Sequence, residues 1–294
     1  MIQINTPYVY KIYVSFSGGK DSTVLLHLVR NIYPDCPAVF VDTGLEYPEV
    51  RSFVKSHDNI TILKPDMSFR KVIETYGYPI VSKPVAKRVQ EYRRAQIKGR
   101  VEQTNAYKEF NGLLLRSDGE PSMFNKEKWR FLLDADFLIS DHCCSVMKKN
   151  PSMKYARETG RHPIIGTMAC ESLVRKQAWK NSGCNSFDRK QPQSQPLSFW
   201  TEQDILLYLK NEHIPYASVY GDIVYNEDGS LRTTGVQRTG CVFCGFGCHL
   251  EKEPNRFQQL RLTHPKLYEY CMRDWDSGGL GLQHVLDYIN VPTE

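Results

Sequence analysis

The chain has 294 residues, 41% of them hydrophobic and 24% charged, and a net charge of +5. These proportions exclude a disordered chain and leave room for one large or two modest domains, while the mild positive charge permits an anionic partner without demanding one. No apolar run approaches the roughly 18 residues of a membrane helix, and Met1-Ile2-Gln3-Ile4-Asn5 lacks a signal-peptide layout, so a cytoplasmic protein with no membrane partner is expected.

In chain order, Ile12-Tyr13-Val14 predicts a short strand and Thr23–Val29 the body of a helix. Between them lies Ser15-Phe16-Ser17-Gly18-Gly19-Lys20-Asp21-Ser22. Adjacent glycines let the backbone turn tightly and approach a ligand closely, and a helix N-terminus suits a phosphate. Ser17 and Ser22 add hydroxyls, Lys20 adds a point charge, and Asp21 can hold the Mg²⁺ that accompanies ATP. The plain alternative is an ordinary strand-to-helix turn that carries two glycines.

Pro37–Val41 predicts a second, buried strand that ends in Asp42-Thr43-Gly44, and a helix follows through Val50, Phe53 and Val54. Ile60–Leu63 predicts a third strand. Strands alternating with helices imply a parallel sheet, on which ligands sit beyond the carboxyl ends of the strands. Asp42 could bond a ribose or amide hydrogen there, or cap the next helix.

Lys83 to Arg100 contains seven basic residues against one acid, Glu91, with Val85, Val89, Tyr92 and Gln96 at helical spacing. That pattern fits a basic helix face tracking nucleic-acid phosphates or an ordinary solvated face. Residues 101–130 are polar, without clear periodicity, and read as a lid or insertion. Next come the adjacent Cys143 and Cys144, a strand at Pro163–Gly166, and a helix start carrying Arg175 and Lys176. Gln191–Pro196 is a breaker-rich connection, Thr201 an N-cap, and Asp228-Gly229 the turn of a hairpin. Helices are expected around 253–262, 265–273 and 280–289.

The expected fold is α/β, a parallel twisted sheet with helices on both faces, plus a cysteine-bearing, mainly helical C-terminal region. Residues 1–200 would form the nucleotide-binding domain, with an insertion at about 83–130, and 201–294 the C-terminal region. Nine cysteines in a cytoplasmic setting favour metal or redox chemistry over disulfides. Cys241-x2-Cys244 is a two-thiolate clamp, Cys248 follows it, and Cys143 and Cys144 could complete a four-thiolate site. Such a set suits a [4Fe–4S] cluster or zinc, with free thiols as the alternative. Cys36, Cys170, Cys184 and Cys271 read as small buried residues.

The loop spelling is not the Walker pattern; it resembles the pyrophosphate loop of the ATP pyrophosphatase superfamily, whose enzymes cut ATP between the α and β phosphates. Five ordered blocks resemble the phosphoadenylylsulfate reductase branch of that superfamily. They are Ser17–Ser22, Asp42-Thr43-Gly44, Cys143-Cys144, Gly166 with Glu171-Ser172 and Arg175, and Pro196–Thr201 followed by Cys241-x2-Cys244. The resemblance implies nucleotide contacts at Ser17, Gly18, Gly19, Asp21, Ser22, Asp42, Gly166 and Arg175, and cluster ligation by Cys143, Cys144, Cys241 and Cys244. Ser15, Lys20 and Thr43 are expected at the same binding edge, Lys20, Asp21 and Cys248 also in catalysis, and Cys248 is left as a spare thiol or an alternative cluster ligand.

Two departures bear on the reaction. Reductases of the family usually carry an arginine where this chain has Met168, and they use a tail cysteine, whereas no cysteine follows Cys271 here. The expectation is therefore ATP-dependent sulfur transfer: adenylylation of a substrate with pyrophosphate release, then sulfur insertion aided by a [4Fe–4S] cluster, with a sulfur-donor protein such as a cysteine desulfurase as partner. A nucleic-acid substrate fits Lys83–Arg100. A divergent sulfonucleotide reductase and a non-catalytic nucleotide- and cluster-binding accessory protein are the alternatives.

Overall fold

Residues 11–187 and 192–294 are described in a computed structural model of the chain; Met1–Asn5 and Gln191 lie outside the described residues. The elements in order are β1 (Ile12–Ser15), α1 (Lys20–Ile32), β2 (Ala38–Val41), α2 (Pro48–Lys55), β3 (Ile60–Leu63), α3 (Phe69–Tyr76), β4 (Ile80–Val81) and α4 (Lys83–Ile97). Then follow α5 (Asn105–Phe110), α6 (Asn150–Thr159), β5 (His162–Ile165), α7 (Leu173–Ser182), β6 (Asn185–Ser186), β7 (Gln193–Ser194) and α8 (Glu202–Asn211). The chain ends with β8 (Ile223–Tyr225), β9 (Leu231–Thr233), β10 (Gly245–Phe246), α9 (Arg256–Thr263), α10 (Pro265–Met272) and α11 (Leu282–Tyr288).

These elements form two units. The first comprises the described residues of Met1–Asp66 with Met147–Cys241, and the second Met67–Val146 with Val242–Glu294. Both are discontinuous in sequence, and residues 83–130 fall in the second unit with Val242–Glu294.

In the first unit a sheet of order β3-β2-β1-β5-β7-β6 is parallel throughout except for β6 against β7. Short strands with both faces covered must be apolar, and Tyr13, Val14, Ala38, Val39 and Phe40 are all buried. Helices α1 and α8 contribute Val24, Leu25, Leu26, Ile205, Leu206 and Leu209 to the same core. Three sheet neighbours run outward from β1 to β3, and the chain then returns to place β5 on the other side of β1. That reversal opens a crevice beyond the carboxyl ends of β1 and β5. Ser15 pairs with Ile165, so the segments after these two strands leave the sheet at one level.

In the second unit the polar stretch after α4 holds more structure than its sequence suggests, namely α5 and 3₁₀ turns at Val101–Gln103 and Glu127–Asp134. Ala106, Phe110 and Leu132 are fully buried anchors. Strands β4 and β10 pair in parallel. Tyr78 donates its hydroxyl to the Leu280 carbonyl at 2.8 Å, and Arg70 bonds the carbonyls of Trp275 and Gly279, tying α3 to the C-terminal segment. Among the described residues no helix is long and apolar enough to cross a membrane.

Candidate functional site

The crevice of the first unit gathers three loops: Phe16–Gly19 after β1, Asp42–Gly44 after β2, and Gly166 after β5. Each follows a strand end, so the sheet rather than the loops sets their spacing. Gly18 has φ +72°, a conformation open chiefly to glycine. A Cβ there would also stand 2.6 Å from Val54 Cγ2 and 2.8 Å from Val50 Cγ1. Gly166 is needed for proximity instead: its Cβ would lie 3.2 Å from the Asp21 carbonyl oxygen, at the first turn of α1.

Hydroxyl groups hold the loop in shape. Ser17 N–H donates to Ser22 Oγ at 3.2 Å, the two serine hydroxyls lie 3.0 Å apart, and both Ser22 and Thr23 donate to the Gly19 carbonyl. Gly19 caps α1 with an extended backbone and no side-chain cap. One of the helix's orphan donors, Lys20 N–H, is taken by the Tyr220 hydroxyl at 3.2 Å. That hydroxyl also lies 2.6 Å from Thr239 Oγ1, and burial pushes its pKa up to about 12, so it stays protonated.

Lys20 does not reach outward as a phosphate hook. It is 4% exposed, its ammonium is paired with Glu202 Oε1 at 2.9 Å, and it lies over the Tyr220 ring. The expected point charge is therefore a buried ammonium paired with a partly exposed carboxylate, a contact that links α8 to α1. Asp21 is half-buried at the helix start. Burial pushes its carboxyl pKa up, and Glu202 adds to the rise, whereas Lys20, Arg238 and Arg175 pull against it. Arg175 is held below its ordinary value by burial and then by the nearby Arg238. Two guanidiniums whose fields overlap beside a carboxyl form a place suited to an anion and its cation.

Asp42 is 8% exposed and already engaged, accepting from Gly44 N–H at 3.2 Å and from Arg51 at 2.7 Å. It does not cap the next helix, whose N-cap is Tyr47. Thr43 binds Glu46 through both its N–H and its hydroxyl. Arg175 pairs with Glu171, which also accepts from Met168 N–H at 3.1 Å. Ser15 is the last residue of β1. Met168 is 4% exposed and packs in the core with Leu197 and Leu206, so at this place the chain has an apolar side chain turned inward.

Among the described residues no three His, Cys, Asp or Glu side chains are grouped as a metal site. Cys143, Cys144, Cys241 and Cys244 have the donor chemistry for a cluster or zinc, and no step is assigned to such a group. Cys248 is 1% exposed, its thiol donates to the Gly245 carbonyl at 3.0 Å, and burial pushes its pKa up to about 11. A buried, protonated thiol is a poor nucleophile, contrary to the reactive role expected of it. Cys36 and Cys271 are buried as expected, whereas Cys170 is exposed.

Glu202, Tyr220, Arg238 and Thr239 were not foreseen at the crevice. They come from about 180 to 220 residues beyond the loop, and only Glu202 left any trace, as an acid in the first turn of a helix.

The segment Lys83–Arg100 is mostly helical as predicted, capped by Ser82, which accepts from Val85 N–H. Its basic residues divide. Arg88 pairs with Glu91 and Glu109, and Arg93 donates to the carbonyls of Leu132, Leu133, Ala135 and Phe137. These two fasten α4 to the stretch after it.

The chain is similar to several known proteins. Two uncharacterized proteins of Methanocaldococcus jannaschii are 25% identical over 267 residues and 24% identical over 264. Those alignments cover 88% and 87% of this chain but 46% and 39% of the relatives, so the chain spans less than half of their length. A phosphoadenosine 5'-phosphosulfate reductase of Buchnera aphidicola is 40% identical over 69 residues, 22% of this chain and 28% of that protein. A solved phosphoadenylyl-sulfate reductase from Candida auris, in a phosphate complex, aligns at TM-score 0.40 and 13% identity over 77% of this chain and 85% of that one. The phosphoadenosine phosphosulfate reductase domain model matches residues 11–95 and 100–245, and the chain belongs to that family.

Proposed function

We propose that the chain binds ATP with Mg²⁺ beyond β1, β2 and β5 and activates an acceptor by adenylylation, as the first half of a sulfur transfer. The observation that carries this reading is the convergence of the Ser17–Ser22 loop, Gly166 and the Asp21–Arg175–Arg238 charge group at one crevice. The first turn of α1 faces phosphate with N–H groups and a positive dipole end, and Asp21 is the carboxylate for the Mg²⁺. An acceptor oxygen attacks the α-phosphorus, the bond from that phosphorus to the bridging oxygen breaks, and pyrophosphate leaves. An external sulfur nucleophile then displaces AMP from the activated atom. Cys248 has no part in this, because its thiol is buried and protonated.

A divergent sulfonucleotide reductase is the second reading, favoured by the short stretch shared with proteins named as phosphoadenosine phosphosulfate reductases. Against it stands Met168 in the core, at the place where reductases of the family usually carry an arginine. Supplying ATP labelled in its β and γ phosphates and, separately, a sulfonucleotide with a thiol reductant separates the two. Pyrophosphate release supports adenylylation, sulfite release supports the reductase, and nucleotide binding without either product makes the chain an accessory subunit.

A further inference from the structure

We propose that a nucleic-acid strand binds, by its phosphodiester backbone, in a basic pocket on α4 in the second unit. The pocket has a volume of about 600 Å³, and Lys87, Arg94, Lys98 and Arg100 line it. It lies apart in sequence from the loops of the nucleotide crevice, and its ligand would be the acceptor that the adenylylation reading leaves unnamed.

The division of labour on the helix carries the inference. Arg88 and Arg93 are consumed by carboxylates and carbonyls, which accounts for them as structural. The four cations of the pocket have exposed side chains that make no ion pair or hydrogen bond with any described residue. A merely solvated face would point such residues apart into water. Here Lys87, Arg94 and Lys98 recur at intervals of seven and four residues, which places them along one side of the helix, and Arg100 follows at its end. Of the two acids in the lining, Glu91 is already held by Arg88, and Asp141 lies 3.6 Å from His142.

Extent decides which anion fits. From Lys87 to Lys98 the helix rises about 16 Å, too far for the phosphates of one nucleotide and suited to several successive phosphates of a strand. The lining contains no Phe, Tyr or Trp to stack on bases, whereas Gln90 and Gln103 add uncharged donors for phosphate and sugar oxygens. The site therefore reads the backbone and tolerates sequence. At its far wall are Asp141 and His142, immediately before Cys143 and Cys144.

Fluorescence anisotropy with a labelled 20-nucleotide RNA and its DNA equivalent, using the full chain without ATP at several salt concentrations, tests this directly. Replacing Arg94 and Lys98 together by alanine should weaken binding on the order of 25-fold near 0.1 M salt and lower the salt slope by about 1.4, since each single-strand phosphate contact contributes roughly 0.7. A control with Lys71→Ala and Lys154→Ala removes the same charge from exposed sites elsewhere and should stay within about twofold of the parent. Binding to either strand with this contrast supports the proposal, and the preferred strand identifies the sugar. Absence of binding, or equal losses in the two double variants, overturns it. Because no ATP is present, failure to release pyrophosphate would leave this result untouched.

Discussion

The glycine loop after β1 and the cysteine motif around β10 look equally chemical as sequence, yet they behave differently in the fold. The loop arrives preorganised: its serines bond each other, Gly18 holds a left-handed conformation, and Gly166 allows β5 to close on the first turn of α1. The cysteine motif instead buries Cys248, whose thiol donates to the Gly245 carbonyl in β10. A phosphate loop needs a strand, a turn and a helix, all contiguous. A four-thiolate site needs separate segments brought into register, and local spacing says little about that.

That contrast can be broken or sharpened by experiment, beginning with the largest effect. Replacing Asp21 with Asn should lower pyrophosphate release by about 100- to 1,000-fold, the range for removing one preorganised electrostatic group from an active site. A circular dichroism spectrum unchanged from the parent would show that the loss is chemical. Retained activity would leave the crevice without its metal carboxylate.

Cys248 should alkylate about 100-fold more slowly than an ordinary thiol at pH 8, because burial moves its pKa from 9.0 to about 11 and cuts the thiolate fraction accordingly. Exposed Cys170 supplies the internal comparison by mass spectrometry. The same shift fixes a sign. Above pH 9 the unfolded thiol loses its proton while the folded one keeps it, so this contribution to stability is constant below about pH 8 and declines as pH rises toward 11. Rapid labelling of Cys248 would restore the reactive role that its surroundings deny it.

Gly18→Ala should cost about 2–3 kcal/mol in urea unfolding, from left-handed strain plus the clash with Val50 and Val54. Gly44 also has a positive φ but would meet nothing within 4 Å, so Gly44→Ala should cost only about 1 kcal/mol. Similar losses at both positions would remove the packing part of the explanation. An effect as small as that of Gly44→Ala is expected from Tyr220→Phe. It deletes the hydroxyl shared by Lys20 N–H and Thr239 and should destabilise by about 1 kcal/mol, read in the same unfolding assay.

How much was legible in the sequence follows from the range of each interaction. The strands β1, β2, β3 and β5 and the hairpin of β8 and β9 were visible because apolar runs and turn residues are local signals. The three C-terminal helices were also placed within about three residues at each end. The stretch after α4 was not, since its anchors Ala106, Phe110 and Leu132 are too widely spaced to show a period. At the crevice the glycines and Asp21 were legible from the strand-turn-helix context. The burial of Lys20 was not, because Glu202 and Tyr220 lie 182 and 200 residues away. The same distance hid Arg238 and Thr239, which no motif marks.

The central claim is that an adenine nucleotide lies on the crevice of the first unit. Backbone hydrogen exchange with and without Mg²⁺–ATP tests it most directly. Protection is predicted at residues 17–22, 42–44 and 166–168 together, with no change in the helices of the second unit. Protection confined to other segments, or none at saturating nucleotide, would contradict the account.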